Sequence, residues 1–165
     1  MHAIALFNSK TNKWSDGLDG YVHFYQASER APTRVHYHIE GFKPNAVHAS
    51  HIHEFGDTTD GCMSAGAHYN PFHQQHGSVD LDGKKRHVGD LVNNVQANKD
   101  GVVELKFNDA LVSLFGPYSV LGRTVVIHED VDDLGRGGNA ESKKTGNAGG
   151  RMACSIIGVA SGKPE

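Results

Sequence analysis

Arg34-Val35-His36-Tyr37-His38-Ile39-Glu40 alternates polar and apolar side chains without a break. In an extended strand successive side chains point to opposite faces, so Val35, Tyr37 and Ile39 share one face and the polar residues the other. That is the pattern of a half-buried strand lying on a core. Similar runs fall near residues 2–8, 20–26, 47–53, 90–96, 102–107, 122–128 and 152–160. Together they predict an all-β chain of eight short strands, the number expected of a sandwich or flattened barrel. Lys43-Pro44-Asn45, Asn98-Lys99-Asp100-Gly101 and Gly116-Pro117 supply turns between several of them.

A chain of 165 residues fits one domain with room for a real core, and no linker or internal repeat divides it. Hydrophobic residues make up 38% and charged residues 21%. No apolar run approaches the roughly 18 residues that span a bilayer, so no membrane role is expected. Net charge is −3, without a long basic run, which argues against nucleic acid as a partner. The start, Met1-His2-Ala3-Ile4-Ala5-Leu6-Phe7-Asn8, lacks a basic leader and is short for a secretory signal, so a cytoplasmic location is expected. Cys62 and Cys154 can close one disulfide or stay as thiols, and thiols are the usual state in the cytosol.

Twelve histidines are too many to be background. His51-Ile52-His53 places two imidazoles on one strand face, and a glycine-rich stretch carrying Cys62, Gly66, His68 and Asn70-Pro71 follows at once. Downstream come His76, His87 with Asp90, and His128. Neutral imidazoles suit copper, zinc, iron and nickel, so the set reads as a site for two metals. Two stretches, about 54–89 and 129–150, resist the strand reading, and each begins directly after a histidine strand. Loops that long in a compact domain are functional or disordered, and these read as functional loops ordered by metal. His36 and His38 have the same spacing as His51 and His53, but they share a face with Arg34 and Glu40 and read as solvated strand residues. His2, His23, His48 and His73 read as structural or surface residues.

Six ordered motifs resemble the copper/zinc superoxide dismutase family. They are His51-Ile52-His53-Glu54-Phe55-Gly56-Asp57, Gly61-Cys62, Ser64-Ala65-Gly66-Ala67-His68-Tyr69-Asn70-Pro71, Arg86-His87-Val88-Gly89-Asp90-Leu91, Gly122-Arg123-Thr124-Val125-Val126-Ile127-His128-Glu129, and Gly146-Asn147-Ala148-Gly149-Gly150-Arg151-Met152-Ala153-Cys154. The likeness is strong over residues 46–160 and rests on strand pattern alone before that. It implies an immunoglobulin-like Greek-key barrel with two long functional loops, forming a single domain over residues 1–165.

The resemblance also implies a site. His51, His53, His68 and His128 would hold copper, and His68, His76, His87 and Asp90 would hold zinc, with His68 bridging the two. Four nitrogens suit Cu(II), and three nitrogens with a carboxylate oxygen suit tetrahedral zinc. Asp132 would accept hydrogen bonds from His51 and His76 and so orient both rings. Arg151 would hold an anion beside copper, and Lys144 and Thr145 would help steer and admit it. Cys62 and Cys154 would form a disulfide. The implied reaction is dismutation of superoxide anion to oxygen and hydrogen peroxide by Cu(II)/Cu(I) cycling, with His68 as a proton source. A homodimer with contacts near Phe55, Gly56, Gly122 and Val159, and a copper chaperone, are the implied protein partners.

The chain departs from the family pattern at four places. Ala140-Glu141 stands where two glutamates are common, Asp130 replaces a usual lysine, and Ala67 replaces a frequent proline. The segment from Gly77 to Arg86 is longer than in common members. An inactive family member that only binds a copper chaperone is the alternative reading, as is a metal buffer. Neither explains why every ligand position and Arg151 are kept.

Overall fold

The computed structural model describes residues 1–79 and 85–162, so part of the longer Gly77–Arg86 segment lies outside the described residues. Eight strands form: β1 (His2–Phe7), β2 (Asp19–Tyr25), β3 (Thr33–Glu40), β4 (Val47–His53), β5 (Asp90–Gln96), β6 (Val103–Asp109), β7 (Thr124–His128) and β8 (Arg151–Ala160). Each falls on one of the runs read from the sequence, with bounds shifted by a residue or two at the ends, although β7 is an unbroken buried run and does not alternate.

All the ladders are antiparallel, and the order across the sheet is β5-β4-β7-β8-β1-β2-β3-β6. β3 and β4 follow one another in the chain yet are not neighbours, and the same holds for β6 and β7. These crossings give Greek-key connectivity and curl the sheet into a nearly closed barrel. In β3, Val35, Tyr37 and Ile39 are fully buried, as their alternation predicts. Phe24, Ile52, Leu91, Val125, Ile127 and Ile157 meet them in one core. The buried Tyr37 hydroxyl is paired with the Ser50 hydroxyl at 2.9 Å, which removes the penalty of an orphan polar group.

β4 departs from simple alternation, because His51, Ile52 and His53 are all buried. Ile52 points into the barrel core. His51 and His53 therefore point out of the barrel, and the two long loops fold over that face to cover them. A bulge between Ala49 and His51 shifts the register so that Asp90, at the start of β5, pairs with His51. The same device recurs between Ile127 and His128, bringing Arg151 opposite His128. Of the alternatives the two cysteines left open, the structure has the disulfide, with Cα atoms 5.8 Å apart. Cys62 sits in a short 3-10 turn (Gly61–Ala65) of the first loop and Cys154 in β8, so the bond staples that loop to the barrel. The Trp14 indole packs against this second small core.

The bond closes a span of 92 residues, for which loop entropy in the unfolded chain gives a stabilisation of about 4–5 kcal/mol. Replacing both Cys62 and Cys154 by serine is expected to lower the unfolding free energy of the metal-free protein by roughly that amount. Denaturant titration checks this, and an unchanged midpoint would show that the staple adds no stability.

Candidate metal centre

The first long loop returns to β4 through a bridge between His53 and His68. The amide of Tyr69 donates to the Ile52 carbonyl at 2.8 Å, and the amide of Ile52 to the Gly89 carbonyl at 3.0 Å. Backbone bonds thus hold His68 beside the His51–His53 face. The second long loop ends in a one-turn helix, α1 (Ser142–Thr145), and the His76 amide donates to the Lys143 carbonyl at 2.9 Å. The two loops are therefore tied to each other as well as to the barrel.

Two groups of ligand atoms converge. His51, His53, His68 and His128 each place one nitrogen within 4.8 Å of the others, and so do His51, His68, His76 and Asp90 with one ligand atom each. His87 joins the second group through Nδ1, which lies 3.1 Å from Asp90 Oδ1 and 3.4 Å from His68 Nδ1. His68 Nδ1 and His76 Nδ1 each lie 3.0 Å from that same carboxylate oxygen. Ligand atoms around a zinc ion, at bond lengths of about 2.0–2.2 Å, must approach one another about this closely. His51 appears in the second group but has its Nε2 committed to Asp132, so its free nitrogen is Nδ1.

The buried nitrogens test whether metals fit. His76 Nδ1 is buried against Asp90 Oδ1, and His51 Nδ1 and His68 Nε2 are buried without any hydrogen-bond partner. Leaving such atoms unpaired costs about 1–3 kcal/mol each. A copper ion facing His51 Nδ1 and His68 Nε2 would satisfy both, and a zinc ion would take His76 Nδ1 together with the Asp90 oxygen it already meets. The residues present fit both metals.

Outer contacts fix which nitrogen of each ring faces inward. His51 Nε2 donates to Asp132 Oδ2 at 2.5 Å, and His76 Nε2 donates to Asp132 Oδ1 at 2.9 Å. One carboxylate thus orients a ring from each group. Asn94 anchors Asp132 in turn, accepting from its amide and donating to its carbonyl. Gly146 is required here: its φ is +70°, and a Cβ would strike both Asp132 Oδ1 and His76 Nε2. The His53 Nδ1–H donates to the Gly66 carbonyl at 2.8 Å, and the same carbonyl accepts from Arg151 Nη2 at 2.6 Å. Arg151 Nη1 donates to the Cys62 carbonyl at 2.8 Å, so the disulfide-bearing turn positions the guanidinium. His128 Nδ1–H donates to the Gly149 carbonyl at 3.3 Å.

Burial lowers the pKa of His51 and His53 well below the usual imidazole value, and that of His128 to about 4, with neighbouring histidines adding to the effect. His68 is lowered mainly by burial. These four are neutral ligands at neutral pH. Burial opposes charge on Asp90, but hydrogen bonds with His68, His76 and His87 outweigh it and hold the carboxylate well below its ordinary range. His76 goes the other way: burial would lower it, yet Asp132 and Asp90 together raise it to about 9.

A cavity opens over the first group, lined by His53, His68, His128, Lys144, Thr145 and Arg151. Every site residue the sequence singled out is thus gathered at this one place or at its disulfide rim. Sequence reasoning missed Arg86, buried beside His87. Its Nη2 pairs with both Asp109 oxygens at 2.9 and 2.8 Å, and its Nη1 donates to the Asp90 carbonyl, locking the second group to the end of β6. Only its place next to a histidine in the chain hinted at this. Lys143 also lines the cavity without having been singled out.

Comparison with known proteins agrees with the geometry. The family described as copper/zinc superoxide dismutase (SODC) matches residues 18–157. A Cu-Zn superoxide dismutase of Saccharomyces cerevisiae is 53% identical over 147 residues, covering 89% of this chain and 94% of the relative. One from Talaromyces marneffei is 49% identical over 160 residues, covering 95% of this chain and 97% of the relative. Superoxide dismutase [Cu-Zn] 5 of Dictyostelium discoideum is 47% identical over 144 residues, covering 87% and 92%.

Because His76 is protonated below about pH 9 in the metal-free protein, zinc uptake at neutral pH is expected to release its proton, and zinc affinity to rise with pH up to that value. Calorimetry in buffers of different ionisation enthalpy reads the proton. The metal-free fold itself responds with opposite signs. His76 stabilises it below the unfolded value of 6.5, an effect lost as pH rises through about 9. The four lowered histidines destabilise it as pH falls below 6.5. Asp132→Asn is expected to shrink the proton release and weaken both metals roughly 10–100-fold while leaving the barrel intact. Metal competition with chelators and circular dichroism check the two halves of that outcome.

Proposed function

This chain belongs to the copper/zinc superoxide dismutase family, and from that premise we propose that His51, His53, His68 and His128 hold copper while His68, His76, His87 and Asp90 hold zinc. The enzyme is an oxidoreductase that converts superoxide to oxygen and hydrogen peroxide, with copper and zinc as cofactors. Copper, when bound, supplies the one-electron Cu(II)/Cu(I) couple, and zinc, which has no redox chemistry, supplies fixed charge and order. The observation that carries the residue assignment is the pair of buried, partnerless nitrogens on His51 and His68, both facing the converging ligand groups.

The remaining roles follow from what each side chain can do. Arg151 is half-buried at the cavity, with its guanidinium anchored by the Cys62 and Gly66 carbonyls. Those bonds occupy Nη1 and Nη2 on the loop side, so its charge is fixed in position to attract and orient a small anion. His68 Nε2, buried and partnerless, is an atom at which a proton can be held and delivered to reduced substrate. Asp132 fixes the tautomers of His51 and His76. Lys144 extends the positive potential toward solvent, and the Thr145 hydroxyl, donating to Glu141 Oε1 at 2.9 Å, narrows the mouth. On a chain of net charge −3, such local cations focus attraction where the substrate must enter. Nothing favours the inactive, chaperone-binding alternative.

The same proposal includes one domain over residues 1–165, a homodimer, a copper chaperone as donor and a cytoplasmic location. Support for the dimer comes from Phe55, Ile156 and Val159, exposed at 53%, 41% and 73%. Gly56 abuts the Gly122 carbonyl beside Ile156 in the same patch. Such apolar exposure suits an isologous interface. Light scattering of the metal-loaded protein tests it, and a monomer mass would remove the dimer. Among the described residues no helix is long and apolar enough to cross a membrane.

Reconstitution with copper and zinc is expected to produce superoxide dismutation absent from the metal-free protein. Arg151→Ala is expected to keep both metals, lower kcat/KM at least about tenfold and flatten its dependence on ionic strength. A variant with unchanged rate and salt slope would remove Arg151 from substrate capture.

A further inference from the structure

The inner site uses six of the twelve histidines. Four of the other six, His2, His23, His36 and His38, lie together on the outer face of β1, β2 and β3. Register explains the grouping: His23 pairs directly with His36, and His38 pairs directly with Glu104 of β6. The sequence reading took His36 and His38 as solvated, but the His36 side chain is only 12% exposed and both rings are engaged. His36 Nε2 lies 2.7 Å from Glu104 Oε1, and His38 Nδ1 lies 2.6 Å from Glu104 Oε2. Tyr21 packs against both rings, edge-on to His36 and tilted against His38, limiting their rotation.

We propose that His36, His38 and Glu104 form a second metal site, on the outside of the barrel, that takes a divalent transition-metal ion, Cu(II) most tightly. Two histidines at i and i+2 with a cross-strand carboxylate put three potential ligands on one face without any loop having to order. The rings touch different oxygens of Glu104, whose side chain is 45% exposed and free to rotate so that the three close on one ion. Neighbouring ligand atoms of such an ion sit about 3 Å apart, close to the spacing already present between Glu104 and each ring. Glu104 is a carboxylate throughout the working range: burial opposes this, but bonds from His38 and His36 outweigh it and hold its pKa at about 2. Binding therefore displaces no proton from it. Each ring must instead turn a lone pair toward the ion and carry its proton on the other nitrogen. For His38 that nitrogen is Nε2, and Glu40 Oε1 lies 3.7 Å from it, able to close in and accept the proton.

Lys106 Nζ, 3.3 Å from Glu104 Oε1, is the competing cation, but its side chain is 62% exposed and free to swing into solvent. Two imidazole nitrogens and one carboxylate oxygen, with the remaining positions open to water, favour Cu(II) over other divalent first-row ions. His2 Nδ1 and His23 Nε2, 3.0 Å apart, continue the imidazole row across β1 and β2. β3 and β6 contribute no ligand to the inner site, so this proposal stands or falls independently of that assignment.

The test starts from protein already loaded with inner copper and zinc. Equilibrium dialysis against Cu(II) buffered by a weak chelator, followed by metal analysis, is expected to show one further copper per chain. A paramagnetic resonance signal of mixed nitrogen and oxygen ligation should accompany it. His36→Ala, His38→Ala and Glu104→Gln are each expected to weaken this copper by more than about tenfold, beyond the loss of an outer hydrogen-bonding partner. The inner metals and the dismutase rate should stay unchanged, which also reports that the barrel is folded. Glu104→Gln keeps the size of the side chain, so it decides the matter should an alanine disturb the strand. No further copper, or a further copper whose affinity is the same in all three variants, overturns the site. Loss confined to His2→Ala also overturns it, by moving the ion to the His2–His23 pair.

Discussion

The Asp132 carboxylate holds the metal centre together. One oxygen takes the His51 proton and the other takes the His76 proton, so a single side chain orients a ring from the barrel and a ring from the first loop. It does so from the second loop, which makes it the point where all three parts of the structure meet. Both bonds are buried, where a charge-assisted hydrogen bond is strong and an unpaired carboxylate would be severely penalised. Each ring is forced to present its remaining nitrogen inward. That is why His51 Nδ1 is left without a protein partner and His76 Nδ1 meets only the Asp90 carboxylate.

The loops that carry these ligands have little regular structure to hold them. They are fixed instead by a few specific ties. The disulfide fastens the first loop to β8, and through the Cys62 and Gly66 carbonyls it also sets the position of Arg151. Gly66 can serve both His53 and Arg151 because its backbone has a φ of +77°, and a Cβ there would collide with Glu54 and Phe55. At the other end of the loop, Arg86 reaches from the second ligand group to Asp109 of β6. The position of the Arg151 guanidinium thus depends on the same ties that stabilise the chain.

Histidine placement separates two physical environments. Inside the loop-covered face, burial strips protons from His51, His53, His68 and His128 and leaves them ready to act as ligands. On the outer face, His36 and His38 keep a carboxylate between them and remain reachable from solvent. Identical spacing in two strands therefore leads to different chemistry, according to what lies over each face.

Short alternating and apolar runs in the chain by themselves determined the eight strands, because a period of two must be satisfied wherever only one face is buried and an unbroken apolar run, as in β7, wherever both are. They also singled out His51 and His53, whose strand runs straight into a histidine-bearing loop, and the family resemblance pointed to the remaining candidate ligands, Asp132, Arg151 and the cysteine pair. Those residues are legible because metal chemistry restricts which side chains can serve. Only the tertiary structure decided which nitrogen of each ring faces inward, since that depends on carbonyls and carboxylates up to 81 positions away. Only it revealed Arg86 as a buried tie, because an arginine in a loop looks the same in sequence whether solvated or paired with Asp109. It also set His36 and His38 against Glu104. Cross-strand register joins residues 66 and 68 positions apart, and no local pattern encodes which strands become neighbours.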